Sequence, residues 1–192
     1  MATAQASKDE IIDRLFTVFR DRGFEGASIT DLSSATGLGK SSLYHHFPEG
    51  KQQMAEAVLE RATAMIDSEI LGAARSAGAL RTRIRKIVAA LDQLYLGGRT
   101  PCLLGQLATS DIGTVAKQGL LQAFSHWIDA IEALARESGM SPVRARHFAE
   151  DWVARLQGAL ILQAANGDIG PYKRAMAALT ELAKDSTDRT SE

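Results

Sequence analysis

The sequence predicts an all-α protein, and three features of its 192 residues indicate this class. Only four prolines occur, runs of β-branched residues are absent, and apolar residues recur every three or four positions, as on the inward face of a helix. The composition is 45% hydrophobic and 23% charged, which is ordinary for a globular protein with a substantial core. We therefore predict about nine helices, divided between a small N-terminal group of three and a larger helical domain.

The segment 28–51 predicts two short helices joined by a tight turn. Ser28 is a favourable N-cap residue, and Asp31, three positions later, completes a variant of the capping box. Gly37 is suited to the left-handed conformation that ends a helix. The second helix is predicted over residues 40–47. An earlier helix, over residues 7–22, is expected to pack behind this pair.

Two short helices at a steep angle across a glycine turn describe a helix-turn-helix, whose second helix enters the DNA major groove. The outward residues of the second helix carry hydrogen-bond donors and no acidic group. Lysine donates to guanine edges or phosphates, serine to base edges or phosphates, and tyrosine and histidine suit phosphate oxygens. These donors are Lys40, Ser41, Ser42, Tyr44 and His45.

The same segment is open to two other interpretations. A short polar helix between apolar ones also occurs in ordinary helical bundles, so the pattern alone does not establish DNA binding. The triplet Gly39-Lys40-Ser41 suggests a phosphate-binding loop. That motif requires a glycine where Ser34 stands and a strand before it, whereas residues 29–35 are predicted to be helical. The phosphate-binding loop is therefore rejected.

The sequences S-I-T-D-L at 28–32 and T-G-L-G-K-S-S-L-Y-H-H-F at 36–47, followed by Lys51, resemble the DNA-binding signature of the tetracycline-repressor (TetR) family. The resemblance covers residues 1 to about 60. One departure is Gln52, because the family usually has an acidic residue there. The turn 47–51 and the segment 101–108 resemble one subgroup, which usually has glycine where Pro101 stands. The expected DNA-binding residues are Ser28, Thr30, Lys40, Ser41, Ser42, Tyr44, His45 and Lys51.

Charge and cysteine content limit the classes of function. The net charge is −1, so any field that attracts DNA must be local, supplied by Lys40, Lys51 and the N-terminal arm. The single cysteine excludes an intrachain disulfide. Charged residues at 8–10 exclude a signal peptide, and no run reaches the roughly 18 apolar residues of a membrane span. We expect a cytoplasmic protein.

We place the DNA-binding domain at residues 1–50, a ligand-binding and dimerisation domain at 51–185, and a disordered tail at 186–192. The larger domain is predicted to contain a long helix over 51–74, which would span about 36 Å and connect a distant pocket to the head. Its further elements are expected at 80–96, 102–108, 115–137, 142–165 and 170–184.

The penultimate helix is apolar around much of its circumference, which is more than its own domain requires. We therefore expect a homodimer through the last two helices. The family resemblance implies the same, since these helices usually pair with their copies as a four-helix interface. Two heads related by a two-fold axis would then bind a palindromic operator.

Apolar and aromatic residues of the larger domain suggest a ligand pocket, because such sites are mostly apolar clefts with a few polar groups. The resemblance implies a cavity for small, mostly apolar molecules. Each candidate is equally compatible with the core, and Cys102 is compatible with either a sensor or an inert apolar residue. The candidates are Met65, Leu94, Tyr95, Cys102, Phe124, Trp127, Trp152 and Gln157.

No set of nucleophile, base and acid, no cofactor motif and no metal-ligand spacing is found, so we expect neither an enzyme nor a metal or cofactor site. The sequence predicts a ligand-responsive transcriptional regulator. We expect a repressor that binds its operator as a homodimer and is released by a small lipophilic effector. The alternatives are a helical ligand-binding adaptor with a vestigial head and, third, a small enzyme acting in the cavity.

Overall fold

The computed structural model describes residues 6–185. Nearly all of the predicted N-terminal arm, and the predicted disordered tail at 186–192, lie outside the described residues. Within residues 6–185 all regular structure is helical, which confirms the predicted class. The helices are α1 (Lys8–Gly26), α2 (Ile29–Thr36), α3 (Lys40–His46), α4 (Lys51–Ile66), α5 (Gly72–Arg75), α6 (Leu80–Leu94), α7 (Leu103–Ala108), α8 (Gly113–Glu137), α9 (Pro142–Asn166) and α10 (Gly170–Asp185).

A π-helical turn over Asp67–Leu71 joins α4 to α5. Its wide turn is closed by a hydrogen bond from the Gly72 amide to the Asp67 carbonyl, five residues back. The helix therefore continues to Arg75, one residue beyond the predicted end at residue 74, and the chain breaks at residues 76–79. If α4, the π-turn and α5 are counted as one continuous helix, the described part of the chain contains nine helices.

The described chain forms two compact units. The first comprises the described residues up to Ala64 together with Leu103–Leu121, and the second comprises Met65–Cys102 and the chain from Gln122 onward. Most of α4, all of α7 and the beginning of α8 thus group with the three N-terminal helices. This grouping differs from the predicted boundary after residue 50.

The core of the first unit is built from the apolar stripe of α1 and the inward residues of α2 to α4. Gly23 interrupts α1 with a φ of 68°, directly after the predicted end of this helix at residue 22, and a further short stretch continues to Gly26. The fully buried side chains of this core include Ile11, Leu15, Phe19, Leu32, Leu43 and Met54.

In the second unit, α9 and α10 form a hairpin across Gly167, whose φ is 75°. The buried Trp152 on α9 donates its indole N–H to the Ala175 carbonyl of α10 at 2.8 Å. Trp127 on α8 packs edge-on against Trp152, with ring centroids 6.3 Å apart. These tryptophans fix α8, α9 and α10 around one core.

The turn after α6 is closed against α10. A Cβ added at Gly98 would lie 2.5 Å from Tyr172 Cγ, so only glycine allows this approach. The Tyr172 hydroxyl donates to Asp92 at 3.0 Å. Burial, and then the nearby Asp92 carboxylate, raise the pKa of Tyr172 above its ordinary range.

Candidate nucleic-acid interface and effector cavity

The second helix of the chain begins at the predicted capping box. The Ser28 hydroxyl accepts from the Asp31 amide at 3.1 Å, and Asp31 accepts from the Ser28 amide at 3.0 Å. Arg22 of α1 donates to the same carboxylate at 2.5 Å. Hydrogen bonds from the Ser28 hydroxyl and amide, followed by the charge of Arg22, lower the pKa of Asp31. The start of α2 is thereby fixed to α1.

The turn between α2 and α3 is held from three sides. Gly37 has the left-handed conformation, with a φ of 72°, which the sequence predicted. The Ser33 hydroxyl donates to the Leu38 carbonyl at 2.5 Å, and Arg14 of α1 donates to the Thr36 carbonyl at 2.7 Å. Arg14 thus satisfies a carbonyl at the end of α2, where the helix provides no partner. These bonds fix the angle at which α3 leaves the turn.

The third helix buries one side chain and exposes the donors predicted for it. Leu43 is buried in the core, whereas Lys40, Ser41, Ser42, Tyr44 and His45 are exposed. Among the described residues, Lys40, Ser41 and Ser42 make no side-chain hydrogen bond or ion pair within the chain. Their donors are therefore available to a bound molecule, and no acidic side chain of α3 opposes a phosphate.

The other predicted DNA-binding residues fall into two groups. Thr30 is exposed on the first turn of α2, whereas the Ser28 hydroxyl is occupied in the capping box and also donates to Asp31 at 2.6 Å. Lys51 begins α4, and its Nζ lies 4.5 Å above the Phe24 ring. The ring holds the ammonium near the N-terminus of α4, where the helix dipole also favours an anion.

Tyr44 connects α3 to the turn that follows it. Gly50 has a φ of 71°, and a Cβ added there would lie 3.2 Å from Cε1 of Tyr44. The ring thus lies along the backbone of the turn, while 46% of Tyr44 stays exposed. The aromatic ring both supports the turn and leaves part of its surface available to DNA.

In the second unit, a partly open cavity of about 330 Å³ lies beside α6 and the π-turn. It is lined by Met65, Glu69, Ile70, Ala90, Gln93 and Leu94. Its volume falls at the lower end of the range for sites that bind small molecules. Met65 and Leu94 were predicted as ligand-binding residues. Glu69 and Ile70 were not, because no local pattern predicts the π-turn that holds them. Ala90 and Gln93 on α6 were not predicted either.

The remaining predicted ligand-binding residues do not line this cavity. Tyr95 donates to Cys102 Sγ at 3.3 Å, and both side chains are buried. Burial, and then the neighbouring Cys102, raise the pKa of Tyr95 well above its ordinary value. Phe124 is half-buried, and Trp127 and Trp152 belong to the core described above. A ligand-binding role for these residues stays a prediction.

Three buried donors in the second unit have no hydrogen-bond partner among the described residues. They are Nε of Arg83, Nε1 of Trp127 and Nε2 of Gln157. A buried donor without a partner costs roughly 1–3 kcal/mol. All three atoms are closed to solvent, so the structure gives a bound molecule no direct access to them.

A smaller, more polar cavity of about 180 Å³ lies between α5, α6 and α8. Arg75, Arg83 and His126 contribute to its lining, together with Asp129 and Glu137. Arg83 forms an ion pair with Glu137, and Asp129 pairs with Arg146 at 2.8 Å. Its acidic groups are thus already neutralised by arginines.

Residues 6–185 contain no cluster of three or more side chains suited to hold a metal ion. In the same part of the chain, no helix has both the length and the apolar composition needed to cross a membrane.

These features are those of a helical protein with an N-terminal helix-turn-helix and a further helical unit that holds a cavity. Residues 11–58 match the family described as bacterial regulatory proteins, tetR family. Residues 76–178 match the family described as transcriptional regulator LmrA/YxaF-like, C-terminal domain. The chain belongs to the TetR family of bacterial transcriptional regulators, whose members bind operator DNA and form dimers.

Curated relatives and a solved structure agree with this assignment. The chain is 23% identical over 192 residues to the transcriptional repressor DhaR of Mycobacterium sp., with 96% of each chain covered. It is 21% identical to the transcriptional regulator LmrA of Bacillus subtilis, covering 93% of this chain and 97% of that one. A TetR regulator from Legionella pneumophila has the same fold, with a TM-score of 0.81, 19% identity, and 94% and 98% of the two chains covered.

Proposed function

We propose that this regulator binds a palindromic operator as a homodimer, represses transcription there, and is released by a small, mostly apolar effector. The observation that supports this most strongly is the surface of α3. It carries donors free of partners within the described chain at Lys40, Ser41 and Ser42, and it has no acidic group. Such a helix fits the major groove in both charge and hydrogen bonding. Because its DNA target lies in the bacterial cytoplasm, we place its action there.

The proposed dimer interface is the exposed apolar end of α9, with α10 beside it. Ile161 is 69% exposed and Leu162 is 49% exposed. Ala154 and Ala165 lie on the same exposed part of α9 and allow a second helix to approach closely. Exposed apolar patches of this kind mark sites of association. A two-fold interface here would give each dimer two copies of α3, one for each operator half-site.

Release by an effector follows if the effector and the operator prefer different arrangements of the dimer. Each ligand then weakens the other by the same factor, which is the reciprocity of linked binding. The cavity lined by Met65 and Leu94 supplies a site of suitable size and mainly apolar lining. A molecule that bound both arrangements equally would not release DNA, however tight its binding.

The test uses a fragment that the purified protein selects from genomic DNA. We expect Lys40→Ala to weaken binding to that fragment by roughly 1–3 kcal/mol if Lys40 contacts a base. The matched control is Lys117→Ala, since Lys117 is an exposed lysine of the same compact unit that pairs only with Asp111 in the described chain. If the Lys40 variant bound the fragment with unchanged affinity at fixed salt, the claim that Lys40 of α3 contacts an operator base would be contradicted.

The second candidate is a ligand-binding adaptor whose head no longer binds DNA. The nearly balanced charge of the whole chain, −1, is the observation that favours it. It predicts dimers and effector binding without sequence-specific DNA binding. The third candidate, an enzyme acting in the cavity, predicts turnover of a bound molecule with no effect on DNA.

A further inference from the structure

The cavity beside α6 has a mainly apolar lining and one ionisable group. Met65, Ile70, Ala90 and Leu94 supply hydrocarbon, whereas Glu69 and Gln93 supply the polar atoms. Glu69 and Gln93 are both exposed, while Ile70 is buried. The polar atoms therefore lie where solvent still reaches them, and the buried part of the lining is hydrocarbon.

The π-turn explains why these residues meet. In an α-helix, Met65 would share its face with Ser68 and Glu69, three and four residues later, and not with Ile70. The five-residue hydrogen bonding over Asp67–Leu71 widens the turn, so Ile70 also lines the cavity with Met65. π-helical turns are often found at functional sites. This turn places a carboxylate and an apolar side chain side by side on the cavity wall.

The Glu69 carboxylate has no ion-pair or hydrogen-bond partner among the described residues. Lys86 lies one turn before Ala90 on α6 and is exposed. It makes no ion pair with Glu69. No other lining residue carries a charge. An anionic molecule entering the cavity would meet an uncompensated negative charge, whereas a cation would gain a partner.

We propose that the effector is an amphipathic cation, with a hydrocarbon body in the apolar part of the cavity and one quaternary or protonated amine at Glu69. The Gln93 amide oxygen accepts from the amine where it carries a proton. This inference rests on the proposed function, because it assigns a ligand class to the cavity of that regulator. Because Glu69 is exposed, the expected charge preference is up to about fivefold, since exposed ion pairs are worth up to about 1 kcal/mol.

The test is calorimetric titration of the full chain, without DNA, with three probes that share an eight-carbon tail. They are octyltrimethylammonium, octan-1-ol and octanoate, compared at one pH and one low ionic strength. We expect octyltrimethylammonium to bind more tightly than octanol by a factor of up to about five, and octanoate to bind most weakly. Glu69→Gln should remove the preference for the cation while leaving octanol binding unchanged. Glu60→Gln, at an exposed glutamate of α4 outside the cavity, should retain it.

Absent binding of the cation, equal binding of cation and alcohol by the unmodified chain, or a preference that persists in Glu69→Gln would each overturn the inference. Because Glu69 is exposed and unpaired, its variant should unfold at the same temperature as the unmodified chain, and that measurement confirms that the fold is intact. Operator binding is titrated separately. If the protein binds an operator but shows no cation preference that depends on Glu69, only the proposal of a cationic effector is contradicted. If it shows that preference but binds no operator, only the proposed regulator function is contradicted.

Discussion

Glu25, at the end of α1, accepts a hydrogen bond from the Ser110 hydroxyl at 2.9 Å. The same carboxylate accepts from the Asp111 amide at 3.0 Å. Within the first compact unit, this pair of bonds connects the helix behind the DNA-binding head to the loop between α7 and α8. The Asp111 amide bond, followed by other hydrogen bonds that include Ser110, lowers the pKa of Glu25.

This contact predicts a pH-dependent contribution to stability. A carboxyl group whose pKa is lower in the folded state stabilises the fold above its unfolded pKa, near 4.3 for glutamate. That contribution is lost as pH falls through the lower folded pKa. We therefore expect Glu25→Gln to reduce the melting temperature slightly at pH 7 and not at pH 2. Glu60→Gln serves as the control, and an equal reduction by Glu25→Gln at both pH values would contradict the assignment.

Two glycines of the DNA-binding head should differ in how much stability is lost when each is replaced by alanine. Gly50 has a φ of 71° and lies against the Tyr44 ring, so Gly50→Ala introduces both backbone strain and a close contact. We expect a loss of roughly 1–2 kcal/mol of unfolding free energy, the cost of a left-handed residue with a Cβ. Gly39 has a φ of −64° and open space around its Cβ position. Gly39→Ala should change stability by well under about 1 kcal/mol, and denaturant unfolding followed by circular dichroism measures both. Equal losses would show that Gly50 is not specifically required.

The two packed tryptophans should also differ when replaced by phenylalanine. Trp152→Phe removes the buried hydrogen bond from the indole N–H of α9 to the Ala175 carbonyl of α10, and this carbonyl then lacks that donor. Trp127→Phe removes an indole N–H that has no partner among the described residues. We expect Trp152→Phe to destabilise by roughly 1–2 kcal/mol more than Trp127→Phe. Denaturant unfolding monitored by circular dichroism compares them, and a larger loss for Trp127 would contradict the hydrogen-bond account.

The proposed dimer interface predicts a change in molecular mass. Ile161→Glu places a charge in the exposed apolar surface of α9, which a partner helix would have to bury unpaired. We expect the variant to be monomeric at micromolar concentration by sedimentation velocity, with an unchanged helix content. Val115→Glu is the control, because Val115 is equally exposed, at 67%, but lies on α8. A dimer that persists in Ile161→Glu and dissociates in Val115→Glu would move the interface to α8.

Local patterns predicted the head well, because its caps and turns depend on short stretches of chain. Ser28, Asp31 and Gly37 adopt the capping and left-handed conformations that their positions indicated. The outward donors of α3 follow from helical periodicity alone. Capping and periodicity act over a few residues, so they can be read without knowledge of the tertiary structure.

The cavity could not be predicted in the same way. Glu69 and Ile70 line it because a π-turn changes the helical register, and no local motif indicates that change. Trp127 and Trp152 were predicted as ligand-binding residues from their apolar character, and the structure packs them on each other in the core, so that role stays a prediction. Composition does not distinguish an aromatic residue that lines a cavity from one that fills the core.

The measurement that tests the central claim most directly is footprinting of the purified protein on the fragment it selects from genomic DNA. We predict a protected palindrome with two half-sites about one helical turn apart, since two copies of α3 related by a two-fold axis would contact successive major grooves. If no fragment survives competition from bulk DNA across a range of salt concentrations, or if protection has no two-fold symmetry, the dimeric operator-binding account is contradicted.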